Sequence, residues 1–417
     1  MNDVQLAWRE SLPGGVPDSR HNRRQNYLIL VGAVLLALAR LPLIGQATAL
    51  VQLLKFASAR SMLRRMTNCL IMRSFPALRC FRALVLGLGL LALGACASAE
   101  ERKPAKASPT PVILDTDIGD DIDDTWALGL LLRSPELDLK LVVGDRGQAQ
   151  YRARLLARLL ERAGRSDVPV GIGLDIEPRG EGRQAAWVKD YDLGKYPGKV
   201  HADGVQALID VILKSPQPVT LICIGPVPNI AEALKREPRI GRKARFVGMH
   251  GSVRVGYGGA KQPHAEWNVK CDAKACQAVF TAPWEMTITP LDTCGLVTLT
   301  GEKYRRVRDS QDRITGDIMA NYRIWVRGDA KLPENMADER SSTLFDTVAI
   351  YLAMRQDLCV IEKLGVRVTD DGMTVIDPKA KEMSVATSWK DLGGFEDFLV
   401  ERLTGAGGKS ARPSPKP

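Results

Sequence analysis

Apolar and polar positions in the body of the chain follow two alternating patterns. Short apolar runs at Val112 to Leu114, Leu139 to Val143, Val168 to Gly171, Val219 to Ile224, Arg245 to Met249 and Met286 to Thr289 read as buried strands. Helical spacing separates them, from Asp123 onward, then over Gln150 to Ala163, Gly204 to Leu213, Asn229 to Arg236, Ala273 to Ala282 and Asp346 to Met354. In the second of these helices Leu155, Leu156, Leu159 and Leu160 share one face. Strands alternating with helices predict an α/β fold, a single open, mostly parallel sheet flanked by helices. In such folds the active site lies at the C-terminal strand ends. Residues 111–403, about 290 in number, suffice for one large domain.

Outside that body the pattern changes. Residues 72–96 have the layout of an export signal: Met72-Arg73 and Arg79 to Arg82 are positive, Ala83 to Leu93 is apolar, and Leu93-Gly94-Ala95-Cys96 ends on small residues. The tetrapeptide resembles a bacterial lipobox, which makes Cys96 the expected lipidation site. An apolar run of about a dozen residues is short for a transmembrane span. The expected location is therefore the bacterial cell envelope, as an exported lipoprotein facing the periplasm and held to the membrane by its lipid. Residues 97–110, with Pro104 and Pro109, read as a linker, and 404–417 as a disordered tail. Residues 1–71 contain apolar stretches at Tyr27 to Leu38 and Ile44 to Phe56, neither a clean span. They read as an extension ahead of a truer start at Met72, or as an additional membrane segment.

The chain has 417 residues and a formal charge of +10, a balance that by itself suggests nucleic acid or membrane partners. Its distribution removes that suggestion for the body. Residues 1–71 carry +6 and residues 72–96 carry +3, which leaves +1 for the remainder. No nucleic-acid partner is expected; oligomerisation stays open. Five body cysteines (Cys223, Cys271, Cys276, Cys294 and Cys359) show no zinc spacing. Export would permit a Cys271–Cys276 disulfide, with buried free thiols as the default.

Candidate chemistry concentrates where the first strand ends. Asp115, Asp117, Asp120, Asp121, Asp123 and Asp124 place six carboxylates within ten residues. Such groups raise one another's pKa unless a cation neutralises them, and a hard divalent metal with oxygen ligands is the natural solution. A helix N-terminus would account for two of them, not six. Other polar groups recur at strand ends: Ile224-Gly225-Pro226 before Asn229, Glu266-Trp267-Asn268 after the glycine-rich loop Gly251 to Gly259, and Asp346 opening the late helix. Singly, Asp346 or Asn229 reads equally as a helix cap and Glu266 as a surface charge.

In order, these motifs resemble the inosine-uridine type nucleoside hydrolases. Asp115-Thr116-Asp117-Ile118-Gly119 matches the family's Asp-x-Asp-x-Gly core. Asp123-Asp124 before Thr125-Trp126-Ala127-Leu128 matches its aspartate pair, with two extra residues ahead of it and Asp121 as a competing choice. Gly225-Pro226-Val227-Pro228-Asn229-Ile230-Ala231, Ala265-Glu266-Trp267-Asn268 and Phe345-Asp346-Thr347 follow, so that the likeness runs from about Pro111 to Phe398. It implies Ca²⁺-dependent hydrolysis of the N-glycosidic bond of ribonucleosides or a related ribosyl compound. The metal ligands would be Asp117, Asp124, the Ile224 carbonyl and Asp346, and Asp117 would also serve as general base. Asp123, Glu266 and Asn268 would hold the ribose, with Asp145 standing where the family has an asparagine.

Two departures accompany the likeness. Phe345 occupies the place of a histidine that in some members acts on the leaving base, and Asp145 replaces the asparagine. His250 and His264 are the remaining candidates for an acid. Two rival readings stay open: a non-catalytic exported ribose or nucleoside binder, and a Mg²⁺-dependent phosphatase of the haloacid dehalogenase type, whose nucleophile motif Asp115-x-Asp117 also resembles.

Overall fold

The computed structural model describes residues 108–176 and 180–405. The extension 1–71, the signal 72–96 with Cys96, nearly all of the linker and residues 406–417 of the tail lie outside the described residues. The last linker residue, Thr110, already belongs to a strand, because its N–H bonds the Glu136 carbonyl at 2.9 Å. No helix among the described residues is long and apolar enough to cross a membrane.

Ten strands form one sheet in the order β4-β3-β2-β1-β5-β6-β7-β10-β8-β9. β1 (Thr110–Thr116) lies centrally, parallel to both β2 (Leu137–Gly144) and β5 (Val219–Cys223). From β1 the chain builds outward through β3 (Val170–Gly171) and β4 (Val200–His201), then returns to β5 and builds the other way through β6 (Ala244–Met249) and β7 (Met286–Thr289). The reversal between β1 and β5 is a topological switch point, where an open α/β sheet leaves a crevice beyond its strand ends. The expected parallel sheet is thus present, with matching strand positions. The sequence reading lacked an antiparallel edge made of β8 (Cys359–Val368), β9 (Thr374–Ile376) and β10 (Glu382–Trp389). It also lacked the helices Gly301–Arg308, Arg313–Arg327 and Leu392–Leu403.

Period-two alternation divides the core between the two faces of the sheet. Val112 and Leu114 of β1 pack on one side with Trp126, Leu155 and Tyr322, while Ile113 packs on the other with Leu208, Ile230 and Val279. Helix α1 (Asp123–Leu132) is buried from Asp123 to Leu131, wedged under the long helix Arg313–Arg327. Burying a side chain such as Leu130 there contributes roughly 1.5–3 kcal/mol. Cys223, Cys276, Cys294 and Cys359 are buried free thiols, matching the default expectation, and with Cys276 free the Cys271–Cys276 disulfide does not form.

Candidate functional site

The site grows out of the turn that follows β1. Gly119 has φ +110°, and a Cβ there would come 2.5 Å from the Tyr151 ring, so only glycine lets the chain turn this sharply. Arg152, buried in helix α2 (Ala149–Arg162), clamps the turn. Its guanidinium donates to the carbonyls of Asp117, Ile118 (2.9 Å) and Gly147 (3.0 Å) and to the carboxylate of Asp120 (2.9 Å). Gly225, after β5, closes in from the other side: a Cβ there would lie 2.7 Å from Asp117 Oδ1.

Two helix N-termini then meet. Asp123 and Asp124 open α1, and Asp346 precedes α3 (Thr347–Met354). Asp346 spends no side-chain oxygen on capping that helix; instead its N–H donates to Asp123 Oδ2 at 3.3 Å. Oxygens of Asp123, Asp124 and Asp346, all buried, lie within 4.8 Å of one another. Asp124 also accepts a hydrogen bond from the Thr116 hydroxyl. The positive ends of two helix dipoles ease the repulsion among these carboxylates without cancelling it. Burial first, and then neighbouring carboxylates (Asp121 and Asp117 on Asp123, Asp117 and Asp123 on Asp124, Asp123 and Asp124 on Asp346), push all three well above the ordinary aspartate range. A hard, oxygen-only donor set with no cationic side chain among its three members fits a divalent metal ion.

Across the cavity, Glu266 accepts backbone N–H bonds from Gly251 (2.9 Å), Asn268 (2.8 Å) and Val269 (3.3 Å). Burial raises it to about 7. The Asn268 amide donates to the carbonyls of Met249 (3.0 Å) and Ile224 (3.3 Å), which aligns the Ile224 carbonyl with the ends of β5 and β6. Asp117 borders the same cavity and is raised to about 6, by burial first, with Arg152 opposing. The cavity encloses about 380 Å³, a volume suited to a small molecule.

The structure therefore brings Asp117, Asp123, Asp124, Ile224, Glu266, Asn268 and Asp346 into one cavity. The tight carboxylate trio includes Asp123 rather than Asp117, whereas the sequence reading gave Asp123 to the sugar. Asp121, the competing choice for the pair, is exposed at the rim. Asp145 departs from its expected place. It is wholly buried beneath the site, outside the cavity lining, with Oδ1 accepting the Arg146 N–H at 2.8 Å and Oδ2 unpartnered. Asn229 is neither cap nor ligand: its amide donates to Asp115 Oδ2 (2.9 Å) and the Gly144 carbonyl (3.0 Å), tying β1 to β2.

Neither histidine candidate lines the cavity. His250 is buried behind it, with Nε2 against the Gly225 carbonyl at 3.1 Å, and burial lowers it to about 4. His264 is exposed and accepts the Tyr257 N–H on Nδ1 at 3.1 Å. Phe345 does face the cavity, edge-on to the Tyr257 ring at 6.2 Å. Tyr257, Arg183 and Met249 were not anticipated as lining residues. The glycine-rich loop was a signal for Tyr257; nothing local in the sequence marks Arg183.

Residues 112–395 match the inosine-uridine preferring nucleoside hydrolase family. The chain belongs to that family. Among its relatives is the pyrimidine-specific ribonucleoside hydrolase RihA of Citrobacter koseri, 27% identical over 329 residues that cover 70% of this chain and 97% of RihA. Another is the non-specific ribonucleoside hydrolase RihC of Escherichia fergusonii, 28% identical over 315 residues, covering 71% and 99%. A solved purine-preferring ribonucleoside hydrolase from Gardnerella vaginalis superposes with a TM-score of 0.60 at 22% identity, over 71% of this chain and 98% of that one. That likeness shows a shared fold. The protein is thus a nucleoside hydrolase, an N-glycosidase with a buried acidic cluster able to bind a metal. Membership does not favour the phosphatase reading or the binding-only reading.

Proposed function

We propose that this nucleoside hydrolase cleaves the N-glycosidic bond of ribonucleosides, releasing ribose and free base, and that its ion is Ca²⁺. The observation that carries the reading is the buried trio Asp123, Asp124 and Asp346 facing Glu266 and Asn268 across one cavity at the β1/β5 switch point. The trio, together with Asp117 and the Ile224 carbonyl on the same cavity wall, would hold the ion, and an all-oxygen set of this number suits Ca²⁺. When bound, the ion supplies Lewis-acid activation of a water molecule.

The remaining steps belong to the chain's own residues. Asp117 accepts a proton from the attacking water, a task suited to a carboxylate on the cavity wall beside the ion's other ligands. Glu266 and Asn268, fixed by their backbone bonds, hold ribose hydroxyls, and Asp123 lies within reach of the same sugar. As the C–N bond opens, positive charge gathers on the sugar, and the surrounding carboxylates stabilise it. A sugar lacking a matching hydroxyl leaves a buried carboxylate unpaired and is rejected. The RihA and RihC names make pyrimidine and mixed nucleosides the first substrates to try. The test is release of free ribose from uridine, cytidine, inosine and p-nitrophenyl riboside by Ca²⁺-loaded protein. Binding of nucleosides without any ribose release would overturn it.

A further inference from the structure

We infer that the preferred substrates of this site are cationic N-ribosides, in which the leaving heterocycle already carries a positive charge, such as N-ribosylpyridinium compounds and N7-alkylated purine nucleosides. The inference rests on the ribosyl-hydrolase reading above and names its substrate class.

Two features of the cavity carry it. The first is charge. Seven carboxylates line the cavity against one guanidinium, that of Arg183. Arg183 is itself engaged: it donates to Asp329 at 3.1 Å and lies 3.9 Å over the Trp325 ring. A divalent ion would offset two of the seven and the buried Arg152, bonded to Asp120, a third, so the loaded cavity keeps an excess of negative charge. Walls of one sign focus the field and concentrate the opposite charge.

The second feature is the leaving-group end. Among the described residues, no histidine or lysine lines the cavity. The wall there is aromatic instead, with Phe345 edge-on to Tyr257, and Trp267 and Tyr257 standing 47% and 38% exposed at the mouth. The Tyr257 hydroxyl accepts the Trp267 N–H at 2.8 Å, which fixes the ring at that mouth. Aromatic faces attract cations and offer a neutral purine no proton. A heterocycle that is already cationic needs none. As its C1′–N bond breaks, the electron pair passes to the ring nitrogen and the heterocycle leaves as a neutral base. The water oxygen bonds C1′, and its proton leaves by way of Asp117.

The experiment compares ribose release by Ca²⁺-loaded protein from nicotinamide riboside, N7-methylguanosine, guanosine and uridine, at low and high salt, in wild type and Asp121→Asn. Asp121 stands exposed at the rim and contributes charge to the mouth. The expected kcat/KM for each cation exceeds that for guanosine by about 100-fold, the lower range of what a general acid supplies. KM for the cations should rise with salt while that for uridine holds, because only the cations are drawn by the cavity's charge. Asp121→Asn should raise the cations' KM by about threefold, the scale of one exposed charge pair, and leave uridine in place. Equal or better use of the neutral nucleosides guanosine or uridine, or a KM for the cations that ignores both salt and Asp121→Asn, would overturn the inference and leave ribosyl hydrolysis standing. No ribose from any of the four would overturn the proposed function, and this inference with it.

Discussion

The backbone N–H of Asp346 donates to Oδ2 of Asp123 at 3.3 Å, joining residues 223 positions apart in the chain. The bond brings two helix N-termini together and gathers three carboxylates that, without a cation, repel one another.

Metal removal should therefore cost both activity and stability. Chelation followed by dialysis is expected to abolish ribose release and lower Tm, since an ion present at a hundredfold over its Kd contributes about 2.7 kcal/mol to the folded state. Ca²⁺ should restore both quantities and Mg²⁺ should restore less, because Mg²⁺ demands a tighter octahedron. Full activity in a verified metal-free sample would refute the ion's role.

Asp117→Asn and Asn268→Ala should fail differently. Removing the Asp117 carboxylate takes away the proton acceptor, with an expected loss in kcat of about 10²–10⁴-fold. Asn268→Ala removes the amide that bonds the Met249 and Ile224 carbonyls, and should act chiefly on KM. Steady-state kinetics on uridine separate the two; the same modest rise in KM for both, with unchanged kcat, would contradict these roles.

Phe345→His should raise turnover of purine nucleosides, because position 345 faces the cavity beside Tyr257 and a histidine there could protonate the departing base. Wild type should favour p-nitrophenyl riboside over inosine by a wide margin. Rates of both substrates across about pH 5–8, the histidine range, provide the measurement. Strong inosine hydrolysis by wild type with a falling limb near neutral pH would point to a histidine acid elsewhere.

His250 should govern stability in acid rather than catalysis. Burial lowers it to about 4, so between that value and its unfolded value of 6.5 the unfolded chain binds the extra proton. Its contribution is fully present above pH 6.5 and is lost as pH falls towards 4. Thermal melts over this window should show a loss of Tm that His250→Gln flattens, while the pH profile of kcat stays that of wild type. A kcat profile that shifts with the substitution would return His250 to the catalytic candidates.

Cys96, the expected lipidation site, lies outside the described residues. Cys96→Ser should abolish incorporation of labelled fatty acid in a bacterial host and release the protein from the membrane fraction; labelling that persists would refute the lipobox reading.

Local information in the sequence determined the alternation of strands and helices, the strand end at which acids accumulate, and the ordered motifs that mark the family. Period two and period 3.6 are properties of neighbouring residues, so Val112 to Leu114 and Asp123 onward could be read directly. Tertiary structure alone decided which acids converge. Asp121, Asp123 and Asp124 are nearly adjacent in sequence, yet the α1 turn sends Asp121 to the rim and the other two toward Asp346. Asn229 and Asp145 were equally illegible, because their surroundings come from three separate strand ends. The same holds for β10, which joins β7 in parallel, and for β8, which pairs with β10 against the direction of the remaining sheet. Spacing along a chain records which face a residue takes. Pairing, burial and the meeting of helix ends depend on residues far away in sequence, and those contacts exist only once the chain has folded.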